Sequence, residues 1–142
     1  MVRVEDCISF LVNKAAQGIS RRVRDALTPH GVTAPQFAVL MVLWERDGSS
    51  AAEIGTRLSV DSATLTGLID RLEAAVLLTR QACGTDRRVH RLQLTDAGRA
   101  ARPALEAAMD RVNAAVTAEL GTAAPALYTG LRLLSEKPGA SA

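Results

Sequence analysis

Aromatic side chains are scarce. Phe10, Phe37, Trp44 and Tyr128 are the whole set, 3% of 142 residues. The interior must therefore be built from aliphatic and small residues, and many of the 48% hydrophobic positions are alanine. Ala- and Leu-rich sequence with few β-branched runs favours helix. A lean core of this kind also favours helices that cover one another, between subunits as well as within one. Cysteine is limited to Cys7 and Cys83. Their spacing suits no metal, and two are too few for a disulfide framework. A reducing, intracellular compartment is the default. No apolar run approaches the length of a membrane span. The segment MVRVEDCISFLVNKAAQ places acids early and lacks a long apolar stretch, which argues against a signal peptide. A cytoplasmic location is expected. Histidine is limited to His30 and His90. No G-x-S-x-G, P-loop, H-E-x-x-H or paired-cysteine motif occurs, so neither an enzyme nor a cofactor or metal site is expected.

Lysine is nearly absent as well. Only Lys14 and Lys137 occur among 17 basic residues, the rest being arginine. Arginine suits bidentate contacts to phosphate and guanine, although a GC-rich coding sequence gives the same bias. The formal net charge of +2 is too mild to point to nucleic acid by itself. The length suits one domain with a real core.

Residues 5 to 28 read as an amphipathic helix, with Ile8, Leu11, Val12, Ala15, Ile19, Val23 and Leu27 at helical spacing. Pro29 and Gly31 end it. Thr33 is the expected N-cap of a second helix, with Pro35 in its first turn and Gln36 completing a capping box. That helix carries Phe37, Val39, Leu40, Val42, Leu43 and Trp44 and stops near Asp47-Gly48. Ser49 or Ser50 caps a short helix over about 50 to 58, with Ala52, Ile54 and Leu58 inward. Asp61 or Ser62 caps the next, SATLTGLIDRLEAA, whose inward residues are Leu65, Leu68, Ile69 and Leu72. Two short helices joined by about three residues fit a helix-turn-helix. LLTR and VHRLQL then flank QACGTDRR with a period of two, the pattern of a β-hairpin. Thr95 caps an Ala-rich helix expected to run to about Leu120 with Pro103 as a kink, and a last helix covers about 123 to 135.

The helix beginning at Asp61 carries the expected chemistry. Opposite its apolar face lie Ser62, Ala63, Thr66, Gly67, Asp70 and Arg71, with Thr64 near the edge. Small residues let a helix sink into a major groove about 12 Å wide, and its N-terminus favours phosphate. A merely solvated face is the bland alternative, and the hairpin tips the balance. Arg80, Arg87, Arg88 and Arg91 stand there against one acid, Asp86, with His90 nearby. A cationic ribbon of this kind can enter the minor groove. Arg88 is the expected groove residue, Arg87 is placed on phosphate, and Asp86 braces Arg88. The expected DNA-binding set is Ser62, Thr64, Thr66, Arg71, Arg87, Arg88 and His90.

At these residues the sequence resembles the MarR family of winged helix-turn-helix regulators. The resemblance runs from about Ile8 to Arg99. It rests on GVTAPQFAVLMVL at the second helix, VDSATLTGLIDRLEAA at the recognition helix, and DRRVHRLQLTDAGR, a wing followed by the L-T-x-x-G signature. It implies a mainly α fold with a small β-hairpin wing. The whole chain, 1–142, reads as a single MarR-like domain, with a winged helix-turn-helix DNA-binding lobe over 33–95 and dimerisation helices over 1–30 and 96–142. The partners implied are double-stranded DNA carrying a near-palindromic operator and a second copy of the chain. The sequence departs from the family at Val76, where the recognition helix usually ends in glycine. Either the helix ends differently here or local strain is stored.

Many members of this family respond to small phenolic or carboxylate compounds between the dimer helices and the DNA-binding lobe. The resemblance implies a repressor released by a small aromatic carboxylate, with Ser9, Asn13, Gln17, His30, Phe37, Met41 and Trp44 as candidate lining residues and Arg21 or Arg22 for the carboxylate. Apolar walls with a few polar anchors suit such a ligand. Ordinary core packing explains Phe37, Met41 and Trp44 equally well. A cysteine-based redox sensor of the same fold is the alternative. Cys7 lies two residues before the matching position, where Ser9 stands, and two residues turn a helical side chain by about 200°. Glu5 and Asp6 are expected to raise the Cys7 pKa, leaving Cys83 near the wing arginines as the more reactive thiol. A winged-helix module that binds only protein is a third reading, but it has no need of Arg87 and Arg88 at an exposed tip.

Overall fold

The computed structural model describes residues 3–84 and 86–136; the side chains of Cys83 and of residues 86–89 are outside the description. Among the described residues, seven helices and one hairpin follow in order: α1 (Ile8–Leu27), α2 (Ala34–Glu45), α3 (Ala51–Leu58), α4 (Ser62–Ala74), β1 (Leu78–Cys83), β2 (Asp86–Leu94), α5 (Asp96–Ala100), α6 (Arg102–Leu120) and α7 (Ala124–Ser135). The described chain is mainly α with a two-stranded antiparallel wing. Short 3-10 turns precede α1, follow it, and precede α7. Among the described residues, no single helix is long and apolar enough to cross a membrane.

Local capping rules set most of the boundaries. Thr33 and Gln36 form a reciprocal capping box on α2, and Ser50 and Glu53 do the same on α3. Asp61 caps α4 by accepting from the Thr64 N–H at 2.8 Å. Thr95 caps α5 by accepting from the Gly98 N–H at 3.0 Å. Here the structure corrects the expectation of one long helix from Thr95. The helix is interrupted at Ala101, whose backbone stays right-handed, after about a turn and a half, and α6 begins at Arg102. Pro103 therefore sits in the first turn of α6, where the missing N–H has no helical partner to lose. On α3 the inward alanine is Ala51, which packs against the core, while Ala52 is exposed.

The contacts divide the chain into two compact units, one ending at Met109 and one beginning at Asp110. In the first, Leu40, Leu43 and Val39 of α2 pack with Ile54, Leu68, Ile69, Leu72, Leu78, Leu92, Leu27 and Leu105 in one continuous core. Leu27 of α1 and Leu105 of α6 are thus as buried as the winged-helix residues themselves. Trp44 lies at the edge of this core. Its ring meets Phe37 edge to face at 5.8 Å, and its indole N–H donates to the Gly98 carbonyl at 3.0 Å. In the second unit Ala124 is buried, while Leu127, Leu131 and Leu134 of α7 are exposed.

The hairpin pairs Leu78 with Leu94, Arg80 with Leu92 and Ala82 with His90. A loop segment extends the sheet: the Gly48 N–H donates to the Leu92 carbonyl and the Leu92 N–H to the Ser49 carbonyl, both at 3.0 Å. The L-T-x-x-G signature has a physical basis. The Thr95 hydroxyl donates to the Val76 carbonyl at 2.6 Å while accepting from Gly98. Any Cβ on Gly98 would stand 2.1 Å from the Leu77 carbonyl oxygen, so only glycine fits against the chain just before β1.

Candidate nucleic-acid interface

The turn between α3 and α4 brings two short helices into close contact. Ser59 takes a left-handed conformation at φ 53°. Gly55 approaches Val60 and Leu65 so closely that a Cβ would lie 3.2–3.3 Å from them. The α4 residues Leu65, Leu68, Ile69 and Leu72 are buried, which fixes the helix's rotation. Ser62, Thr64, Thr66, Asp70 and Arg71 are consequently exposed together.

Their hydroxyls are not equivalent. The Thr64 hydroxyl donates to the Asp61 carboxylate at 2.8 Å, and the Thr66 hydroxyl donates to the Ser62 carbonyl at 2.7 Å. Both threonines therefore turn acceptor lone pairs and methyl groups outward, an arrangement suited to base amino groups and thymine methyls. The Thr64 backbone N–H, then its hydroxyl, hold the Asp61 carboxyl below its ordinary pKa. Glu53 is held low by the Ser50 backbone N–H in the same manner.

The wing arginines divide into two groups, which corrects the expectation of four cations at the tip. Arg80 lies at the root, paired with Asp70 and Glu73 of α4. The Arg91 guanidinium donates to the Gly48 carbonyl at 2.9 Å, joining the hairpin to the loop after α2. Arg80 shares the face of the buried Leu78, and the acids that receive it come from another element. His90 is exposed on β2. The side chains of Arg87, Arg88 and Asp86, and that of Cys83, lie outside the described residues.

Val76 resolves the choice left by the sequence. Its φ is +60°, so the left-handed position is kept with a β-branched residue in it. The Val76 N–H donates to the Glu73 carbonyl at 2.9 Å and the Leu77 N–H to the Leu72 carbonyl at 3.0 Å. This is the paired Schellman pattern that normally carries glycine.

The candidate ligand residues are dispersed. Asn13 and Gln17 share a shallow concavity along α1 with Ala16, Ser20, Arg21 and Arg24. Ser20 and Arg24 were not singled out as ligand residues from the sequence, although both follow from i, i+3 spacing with Gln17 and Arg21 in view. Ser9, His30, Phe37, Met41 and Trp44 do not line it. Phe37 is buried in the lobe core, Ser9, His30 and Met41 are exposed, and Trp44 is half-buried. Cys7 runs against expectation. It precedes α1 directly, with its sulfur 3.1 Å from the Ser9 hydroxyl. That contact, and then the backbone N–H groups of Phe10 and Ser9, lower its pKa despite Glu5 and Asp6.

A turn-linked helix pair with an exposed second helix, followed at once by a hairpin, defines a winged helix-turn-helix protein. The model of the MarR family matches residues 32–90, the segment that holds these elements. The HTH-type transcriptional regulator TtmR of Methylorubrum extorquens is 46% identical over 92 residues, 65% of this chain and 47% of that protein. The match thus spans about half the length of that curated relative. Among solved structures, Bordetella bronchiseptica BpsR, described for regulation of its DNA binding by 6-hydroxynicotinic acid, superposes with a TM-score of 0.89 at 25% identity, covering 97% of this chain and 99% of that one. The repressor CouR of Rhodococcus jostii RHA1, bound to a 23-mer DNA duplex, gives 0.84 at 26% identity over 96% and 99%. Residues 32–90 thus match the MarR family model, and the chain is similar in sequence and fold to MarR-type regulators, which are DNA-binding transcription factors and not enzymes.

Proposed function

We propose that this protein is a sequence-specific regulator of transcription that binds double-stranded DNA as a homodimer, acts as a cytoplasmic repressor, and releases its operator on binding a small aromatic or phenolic acid. The observation that carries the DNA reading is the rotation of α4. Four buried aliphatic residues hold it to the lobe and leave Ser62, Thr64, Thr66 and Arg71 outward. The DNA-bound state of CouR supports the same use of the fold. The ligand reading draws on BpsR and its aromatic acid, and on Arg21 and Arg24 beside Asn13 and Gln17 on α1. A guanidinium pair is suited to a carboxylate.

The test is a gel shift on the DNA upstream of the protein's own coding sequence, with a thermal-shift screen of aromatic acids repeated as DNA competition. A true effector must bind the free protein more tightly than the DNA complex, by roughly 5- to 150-fold, because the coupling is reciprocal. Equal affinity for both states would refute an effector role. A protein that shifts no DNA would refute the reading as a whole. The lowered thiol pKa of Cys7 favours one second reading, oxidant-controlled release. Release by peroxide that Cys7→Ser abolishes would select it.

A further inference from the structure

Arg80 is a wing arginine that the DNA-contact set leaves out. It lies on the inward face of β1, two residues beyond the buried Leu78 and opposite Leu92. Its side chain is only 27% exposed. One guanidinium nitrogen donates to the Asp70 carboxylate, the other donates to Glu73 at 2.6 Å, and the Arg80 backbone N–H donates to the second Glu73 oxygen at 3.3 Å. Asp70 and Glu73 are three residues apart on α4, hence on one side of it, one turn from each other. A planar guanidinium can hold two carboxylates at once; an ammonium is a single point charge.

We infer that Arg80 is a positioning residue for DNA binding, a clamp that locks the wing to the recognition helix so that the two meet DNA as one rigid unit. The inference rests on the reading that α4 and the wing both contact DNA. The hairpin needs such an anchor. A two-stranded ribbon is marginal by itself, and its apolar residues Leu78, Leu92 and Leu94 secure only the root. Toward the tip on the same face come Ala82 and His90, both exposed. Arg80 is thus the outermost inward residue of β1 that the described structure fastens to α4. A second effect accompanies the first and is separable from it: the guanidinium neutralises two carboxylates on a helix that approaches phosphates.

The experiment compares full-length wild type with Arg80→Ala, with Arg80→Lys, and with the triple variant Arg80→Ala, Asp70→Asn, Glu73→Gln. Fluorescence anisotropy on the upstream DNA is read across a salt series, and amide hydrogen exchange is read on the free proteins. The clamp predicts that Arg80→Ala binds at least about tenfold more weakly, with a salt slope smaller by about 2 because the Arg87 of each subunit is no longer held at a phosphate. It predicts an intermediate loss for Arg80→Lys and, in the triple variant, only partial recovery of affinity, with the slope still reduced. Exchange should accelerate at residues 78–82 and 90–92 while α2 and α4 stay protected. Recovery of affinity and slope in the triple variant would overturn the clamp and leave only charge neutralisation. Unchanged affinity and exchange in Arg80→Ala, with wild type binding normally, would also overturn it. If wild type binds no DNA, the DNA reading fails instead, and the exchange rates alone decide whether Arg80 fastens the hairpin.

Discussion

Val76 carries a cost that its own side chain creates. A left-handed conformation costs an L-residue roughly 1–2 kcal/mol, and Val76 holds it at φ +60° with its side chain exposed, so little packing offsets the strain. Val76→Gly relieves this but gives up about 0.5–1 kcal/mol of unfolded-state entropy. We expect a net stabilisation of about 0.5–1 kcal/mol in urea unfolding; a lower midpoint would show that valine is favoured there. A contrasting pair lies within α4. Leu68 is buried and Thr66 is exposed. Leu68→Ala should destabilise the lobe by about 2–5 kcal/mol, whereas Thr66→Ala should leave the melting temperature unchanged and alter DNA sequence preference. Equal losses of stability would mean that α4 is rotated differently. The rotation itself was legible from the sequence, because Leu65, Leu68, Ile69 and Leu72 obey helical spacing. That the Thr64 and Thr66 protons are committed to Asp61 and Ser62 was not, because hydroxyl orientation leaves no mark in a periodicity.

At the scale of elements, the N-caps at Thr33 and Thr95 were readable because a cap is a rule spanning four residues, and Asp61 had only to be chosen over Ser62. Ser50 needed only a choice between two neighbours. Pro103 signalled a kink in this stretch, but a break as early as Ala101 was not readable. It coincides with Gly98 lying against Leu77 and accepting the Trp44 indole N–H at its carbonyl, contacts more than 20 residues distant in sequence. Arg80 and Arg91 were misassigned to the tip for the same reason: their acceptors are on α4 and on the loop after α2. The α4 cap yields a pH prediction. Asp61 is held below its ordinary value of 3.8 by hydrogen bonds that favour the carboxylate. Its contribution to stability is therefore present above that value and is lost as pH falls through the lower, folded-state pKa. Asp61→Asn keeps a capping oxygen without the titration. Thermal unfolding of wild type should weaken more steeply than that of Asp61→Asn as pH drops below about 4; parallel curves would remove Asp61 from the acid response.

For the whole molecule, two of the three apolar stripes expected of a dimer remain uncovered in one chain, while the third, Val112, Val116 and Leu120 of α6, is half-buried. Ile8, Leu11 and Val12 of α1 are exposed, as are Leu127, Leu131 and Leu134 of α7. Scattered exposed leucines need no explanation, but contiguous apolar stripes mark association surfaces. Light scattering at micromolar concentration should give twice the chain mass, and a stable monomer would contradict the dimer. If the dimer holds, its two α4 helices must meet major grooves one DNA turn, about 34 Å, apart. The most direct test of the account is therefore methylation interference on the bound upstream DNA. Guanine N7 lies in the major groove and adenine N3 in the minor groove. The account predicts guanine N7 interference in two symmetric half-sites one turn apart, with adenine N3 interference where the wings flank them. Uniform binding without position-dependent interference, or interference confined to a single unrepeated site, would contradict it.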